Sequence, residues 1–318
     1  MARTREINGG QMLPSRGNVG LGAFHLSANV FQFFLLPLCL LPVNAAWGWT
    51  LLPLAFLNNP FWSLIHEAIH DLFHPSPRVN TLFGRAAAVQ FGAPFRILRS
   101  SHLLHHKLNR TPMEATELYD AGKCSRGRAA AGYYFQILGG LYLLEFLTSL
   151  LFFLPRAWID RIKRRYIASH SVSGILMQNW TTREAIREIR VDGALVLGWV
   201  GLSLWCYGAS WPLLLILVAA RGFLISFLDN IYHYRTPVND IFYASNLRLP
   251  APLAGLLLNF NLHGTHHRNP AAPWSRLPAL FRDRADVYHG GYFSAAARQL
   301  CGPVAIENSP PGRPAALR

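Results

Sequence analysis

The chain has 318 residues and is half hydrophobic (51%), with only 14% charged residues, a formal net charge of +14 and a mean hydropathy of +0.19. That balance excludes a disordered chain and argues for an integral membrane protein. The four cysteines form no C-x-x-C pair, so neither a disulfide framework nor an iron–sulfur centre is indicated and they read as unpaired packing thiols. Nothing resembles a nucleic-acid-binding module.

Residues 1–20 are polar and read as a mobile cytoplasmic leader. No Lys, Arg, Asp or Glu then occurs between Arg16 and Glu67, room for two spans of about 20 residues, expected at 21–43 and 46–66. Pro37, Pro53 and Pro60 lie inside them. From the second emerges WSLIHEAIHDLFH, where His66 and His70 are i and i+4 and share a helix face, His74 continues the stripe and Pro75 ends it. A weaker apolar patch within 75–101 reads as an interfacial helix leading to HLLHH, with His102, His105 and His106 on about one turn.

The stretch 133–154 is long enough to cross, but crossing would expose Arg156, Arg161, Lys163, Arg164 and Arg165 on the outer side. We therefore expect a re-entrant or interfacial segment, bent at Gly139-Gly140. A second hairpin follows at 193–207 and 211–228, giving four spans. Asp229, Asn230 and His233 emerge from it, and the third box, HGTHH, supplies His263, His266 and His267. One membrane domain is expected over 21–303, then a disordered tail over 304–318. The turns at 42–47 and 207–211 lack Lys and Arg, so both termini and every histidine box are expected on the cytoplasmic side. The basic face suits anionic lipid headgroups first, at roughly 1 kcal/mol per cation, and an acidic partner second.

Nine histidines on one side are costly as bare neutral imidazoles, which offer one another few acceptors. Metal ions would take the lone pairs. Nine ligands exceed the needs of one ion, whereas two ions with four or five each fit; imidazole suits zinc, copper, iron or nickel.

The order H-x-x-x-H, H-x-x-H-H, a single histidine after a later span, then H-x-x-H-H resembles the membrane fatty acid desaturase and hydroxylase superfamily, over roughly residues 62–303. The resemblance implies an all-α membrane fold with a cytoplasmic di-metal domain. It implies two non-haem iron ions, dioxygen as co-substrate, and oxidation of an unactivated C–H bond of a long acyl or alkyl chain. By the same resemblance the metal ligands are His66, His70, His102, His105, His106, His233, His263, His266 and His267. Asp229 stands where similar desaturases often carry an asparagine; Asp229 or Asn230 would contact metal directly or through water. His70-Asp71-Leu72-Phe73-His74 also matches the family's H-D-x-x-H variant, which leaves His74 as an alternative ligand. Glu67 would orient an imidazole. Phe61, Trp62, Phe91, Phe95, Phe227 and Tyr232 are candidates for an apolar tunnel, with plain packing the commoner role for such aromatics.

An acyl-chain desaturase is the first reading; a hydroxylase or oxidative decarboxylase is the runner-up. His66-Glu67-x-x-His70 is also the H-E-x-x-H metalloprotease pattern, with Asp229 as third zinc ligand, but that leaves two boxes idle. A metal transporter would place its histidines at the bilayer midplane rather than at span ends. No cytochrome-b5-like H-P-G-G motif occurs, so electrons are expected from a separate protein such as ferredoxin or rubredoxin with its reductase, docking near Arg161–Arg165. The expected location is a bacterial inner membrane.

Overall fold

A computed structural model describes residues 13–308. Among the described residues the chain is mostly helical, and three stretches are long and apolar enough to cross a membrane: Ser15–Leu40, Arg126–Leu151 and Arg183–Asn230. Helix α1 (Ser15–Val30) runs directly into a π-helical stretch, Phe31–Leu40. Pro37 inside that stretch has no N–H to give, and the Leu41 N–H reaches back five residues to the Leu36 carbonyl. The helix therefore begins within the expected leader; residues 1–12 lie outside the described residues.

The expected second span is not one helix. It is built from a 3₁₀ segment (Ala45–Thr50), a short helix (Leu51–Ala55) and α2 (Asn58–Ile69). Asn58 bridges the break by donating to the Ala55 carbonyl at 2.6 Å. Helix α3 (Pro77–Phe91) stops at Gly92, whose φ of +117° suits glycine, and α4 (Phe95–Leu108) follows at once. Phe61, Leu64, Ile65, Ala87, Phe91 and Leu98 bind α2, α3 and α4 into the largest core cluster. Burying each large side chain contributes about 1.5–3 kcal/mol.

Helix α5 (Arg126–Leu151) bends where the sequence suggested: Leu138 and Gly139 leave helical geometry, Gly139 with φ +124°. A Cβ at Gly139 would sit 3.6 Å from the backbone at Gly222–Phe223, so the bend seats α5 against a later helix. Amphipathic α6 (Arg156–Tyr166) and α7 (Val172–Trp180) cover α4 from outside through Ile159, Met177, Trp180 and Ile97. Trp180 Nε1 donates to Ser100 Oγ on α4.

Helices α8 (Arg183–Tyr207) and α9 (Trp211–Asn230) form the second hairpin. The chain reverses at Gly208, φ +48°, and Tyr207 packs in one cluster with Leu214 and Leu217. α8 starts about three turns earlier than the hydropathy limit of 193. Its charged first turns are held by ion pairs, Asp192 with Arg85 and Glu188 with Arg96.

The tail expected to be disordered from residue 304 is ordered at its start. Val304 and Ala305 pair in parallel with Leu118 and Tyr119, and a 3₁₀ turn, Ile306–Asn308, follows. Residues 309–318 lie outside the described residues.

Candidate metal centre

Four local structures present the nine histidines. His66 lies in the last turn of α2 and His70 caps it; His102, His105 and His106 lie on α4. His263, His266 and His267 make up half of a short helix, α10 (His263–Arg268), entered through Leu258 and Asn259 in left-handed geometry. His233 sits in the turn after α9. That turn is fixed from below by a buried ion pair: Arg110 donates to Glu117 at 2.9 Å and to the Thr236 carbonyl at 2.7 Å, while the Arg235 N–H donates to Glu117.

The nine divide into two groups. His66, His70, His102, His106 and His266 offer nitrogens within 4.8 Å of one another, and so do His105, His233, His263 and His267. Each H-x-x-H-H box splits. His102 and His106, i and i+4, go to the first group and His105 to the second; His263 and His267 go to the second and His266 to the first. Nε2 atoms approach at 3.0 Å (His70–His102, His102–His106) and 3.1 Å (His106–His266, His263–His267).

Other ring nitrogens have nothing to bond. His66 Nε2, both ring nitrogens of His233 and His263 Nδ1 are buried with no hydrogen-bond partner. Burial, and then the neighbouring imidazoles, push His102, His263, His266 and His267 well below the usual imidazole range; burial first takes His106 down to about 2. They are neutral, as metal ligands must be. His105 differs: burial lowers it, but the Glu114 carboxylate, 2.6 Å from its Nδ1, leaves it raised. A buried, neutral, all-nitrogen donor set with orphaned lone pairs fits two transition-metal ions, one per group.

Of the other residues singled out by sequence, none joins either group. His74 Nδ1 accepts the Ser76 N–H at 3.0 Å. Asn230 donates to Gln299 at 2.9 Å and faces Tyr133. Glu67 accepts the backbone N–H of Trp274 at 3.2 Å rather than orienting an imidazole. Asp229 lines a crevice beside the site, so a protease-like set of His66, His70 and Asp229 is not assembled. Trp62 and Tyr232 line that same crevice; Phe61, Phe91 and Phe95 belong to the core cluster and Phe227 packs near Tyr133 and Tyr234.

Two residues that orient imidazoles escaped the sequence reading. Glu114 grips His105, and the Asn109 amide lies 3.3 Å from His267 Nδ1 while donating to the Ile241 and Tyr243 carbonyls. Asn109 caps the HLLHH helix three residues after His106, a faint signal; Glu114 arrives through a loop and leaves none.

Long apolar helices together with this histidine assembly are the features expected of the membrane desaturase and hydroxylase superfamily. Residues 21–296 match the family described as Fatty acid desaturase, and the chain belongs to that family. It is similar to the sphingolipid delta(4)-desaturase of Candida albicans (strain SC5314 / ATCC MYA-2876), with 24% identity over 257 residues, 76% of this chain and 64% of that protein. The chain thus spans less than two thirds of that relative's length.

Proposed function

We propose that the chain is an O2-dependent membrane oxidase that removes two hydrogens from neighbouring carbons of a fatty acyl or related long-chain lipid. The observation that carries this reading is the division of the nine histidines into a five and a four. One catalytic metal needs about three protein ligands, and two complete sets side by side suit a dinuclear centre. His66, His70, His102, His106 and His266 would hold one iron and His105, His233, His263 and His267 the other; when bound, the pair would supply the activation of dioxygen that side chains lack.

The protein's part is placement. Glu114 fixes the ring of His105 and Asn109 that of His267, which holds ligand geometry through a reaction cycle. The aromatic wall of Trp62, Phe260 and Tyr232 borders the site and would keep water from a chain laid against it. Per double bond, the balance is one dioxygen, two electrons and two protons in, and two waters out. The electrons are assigned to a separate carrier protein, docking on the basic exposed face of α6 around Arg161, Arg164 and Arg165. Four crossings, with both termini and the histidines on the cytoplasmic side of a bacterial inner membrane, complete the proposal.

Metal analysis of anaerobically purified protein, with lipid profiling of expressing cells, tests it. About two irons per chain and a new lipid double bond are expected. A single zinc overturns the proposal, and a new hydroxyl group in place of the double bond moves it to a hydroxylase.

A further inference from the structure

The crevice beside the histidines carries polar groups that hydrogen removal from an alkyl chain does not need. Its lining includes Trp62 and Ser63 of α2, Asp229 of α9, Tyr232, Phe260 and Tyr292. It abuts the metal centre: the Phe260 ring lies 5.0 Å from that of His66 and 4.8 Å from that of His263, and Tyr232 lies 4.7 Å from His263.

Two of these side chains lack a hydrogen-bond partner. Asp229 makes no hydrogen bond or ion pair among the described residues and belongs to neither histidine group. Trp62 is only 9% exposed, and its Nε1–H is buried with no acceptor. Tyr232 and Tyr292, by contrast, lie edge to face, ring centroids 6.2 Å apart. A channel for a plain alkyl chain has no use for an unpaired carboxylate and an unpaired indole donor, since each costs free energy when water is excluded.

The complementary group has to donate to a carboxylate and accept from an indole N–H. An ammonium only donates and a carbonyl only accepts; a hydroxyl does both. The open space in the crevice is about 10 Å³, room for one water-sized group. A long chain can follow only as the apolar side chains give way. We infer that Asp229 and Trp62 bind a hydroxyl group on the lipid substrate, a few carbons from the carbon presented to the histidines. The substrate class is then a long-chain lipid hydroxylated near its head, rather than an acyl chain featureless around the reacting carbons. That last step rests on the oxidase reading above; the hydroxyl site itself does not.

The test is a binding measurement with the full chain, iron-loaded, in detergent micelles. Calorimetric titration would compare a long-chain lipid carrying a hydroxyl near its head with its deoxy counterpart of matched length. The hydroxylated lipid should bind at least about tenfold tighter, because the deoxy lipid strands both polar groups. The preference should vanish in Asp229→Leu, persist in reduced form in Asp229→Asn, which keeps an accepting oxygen, and shrink in Trp62→Phe, with iron content unchanged throughout. Equal affinity of the wild type for both lipids overturns the inference and leaves the crevice to an ordered water. Loss of iron from a folded Asp229→Asn protein also overturns it and assigns Asp229 to the metal. A wild type that discriminates the two lipids but, given dioxygen and a reduced electron-carrier protein with its reductase, oxidises neither upholds the hydroxyl site and defeats the oxidase reading.

Discussion

Two buried polar assemblies stand at different depths of this molecule, and they differ in whether their atoms are satisfied. Arg221, 1% exposed among the apolar helices, donates to Asn58 at 2.7 Å, to the Gln90 and Phe91 carbonyls at 2.6 and 3.2 Å, and to Asn29 at 2.5 Å. The rings of Phe33 and Phe91 flank it. Its charge has no acidic partner in that set, yet its donors are spoken for, and it clasps α1, α2 and α3 to α9. The histidine assembly is the reverse: nine rings, several nitrogens with nothing to bond and others set nitrogen to nitrogen. A satisfied network is complete as protein, whereas an unsatisfied one is complete only with a ligand.

Breaking the two should therefore produce different losses. His266 and His267 are neighbours in sequence but belong to different groups. His266→Ala and His267→Ala should each cost about one of two irons and abolish turnover while the protein stays folded; metal analysis and lipid profiling read both. Equal loss of both irons in each variant would mean that the groups do not load independently. Arg221→Met should do the opposite, stranding acceptors at about 1–3 kcal/mol each. Its thermal unfolding midpoint in detergent should fall sharply, while the folded fraction keeps a full complement of iron.

The histidine boxes were legible because metal ligation at i and i+4 leaves a spacing that survives in sequence. The division between the two groups was legible in principle, since successive helical residues point about 100° apart and His105 cannot share a face with both His102 and His106. What brings Glu114 to His105, or Arg110 to Glu117, is the path of a loop, which has no period to read. Hydropathy marked 46–66 as one span because it counts side chains and ignores backbone; Pro53, Pro60 and the Asn58 bridge divide it. Arg221 was visible as a charge inside an apolar run, but its partners come from three other helices. The bend in α5 was readable because Gly139 is needed for its backbone geometry.

Smaller effects sharpen the same contrast. Glu114→Gln leaves a hydrogen-bonding group beside His105 but removes the charge, and loss of such an orienting partner typically costs 10–100-fold in metal affinity. Competition with a chelator should show that weakening at the site holding His105, with the five-histidine site unchanged. Equal weakening at both sites would mean that Glu114 supports the whole assembly rather than one ring.

The smallest effect is the pH response of iron-free protein. The buried imidazoles of His102, His106, His263, His266 and His267 have folded pKa values below the ordinary one, which is about 6.5 in an unfolded chain. Between those limits the unfolded state binds more protons than the folded state, so stability rises with pH and is lost as pH falls below about 6.5. The unfolding midpoint of the iron-free protein should therefore drop from pH 7 to pH 5. Bound iron should flatten the drop until the imidazoles begin to be protonated off the metal. Arg221 stays charged throughout this range, so Arg221→Met should lower the whole curve without changing its slope. A pH slope that changed with Arg221 would show the two assemblies to be coupled through α2, the helix that both of them grip.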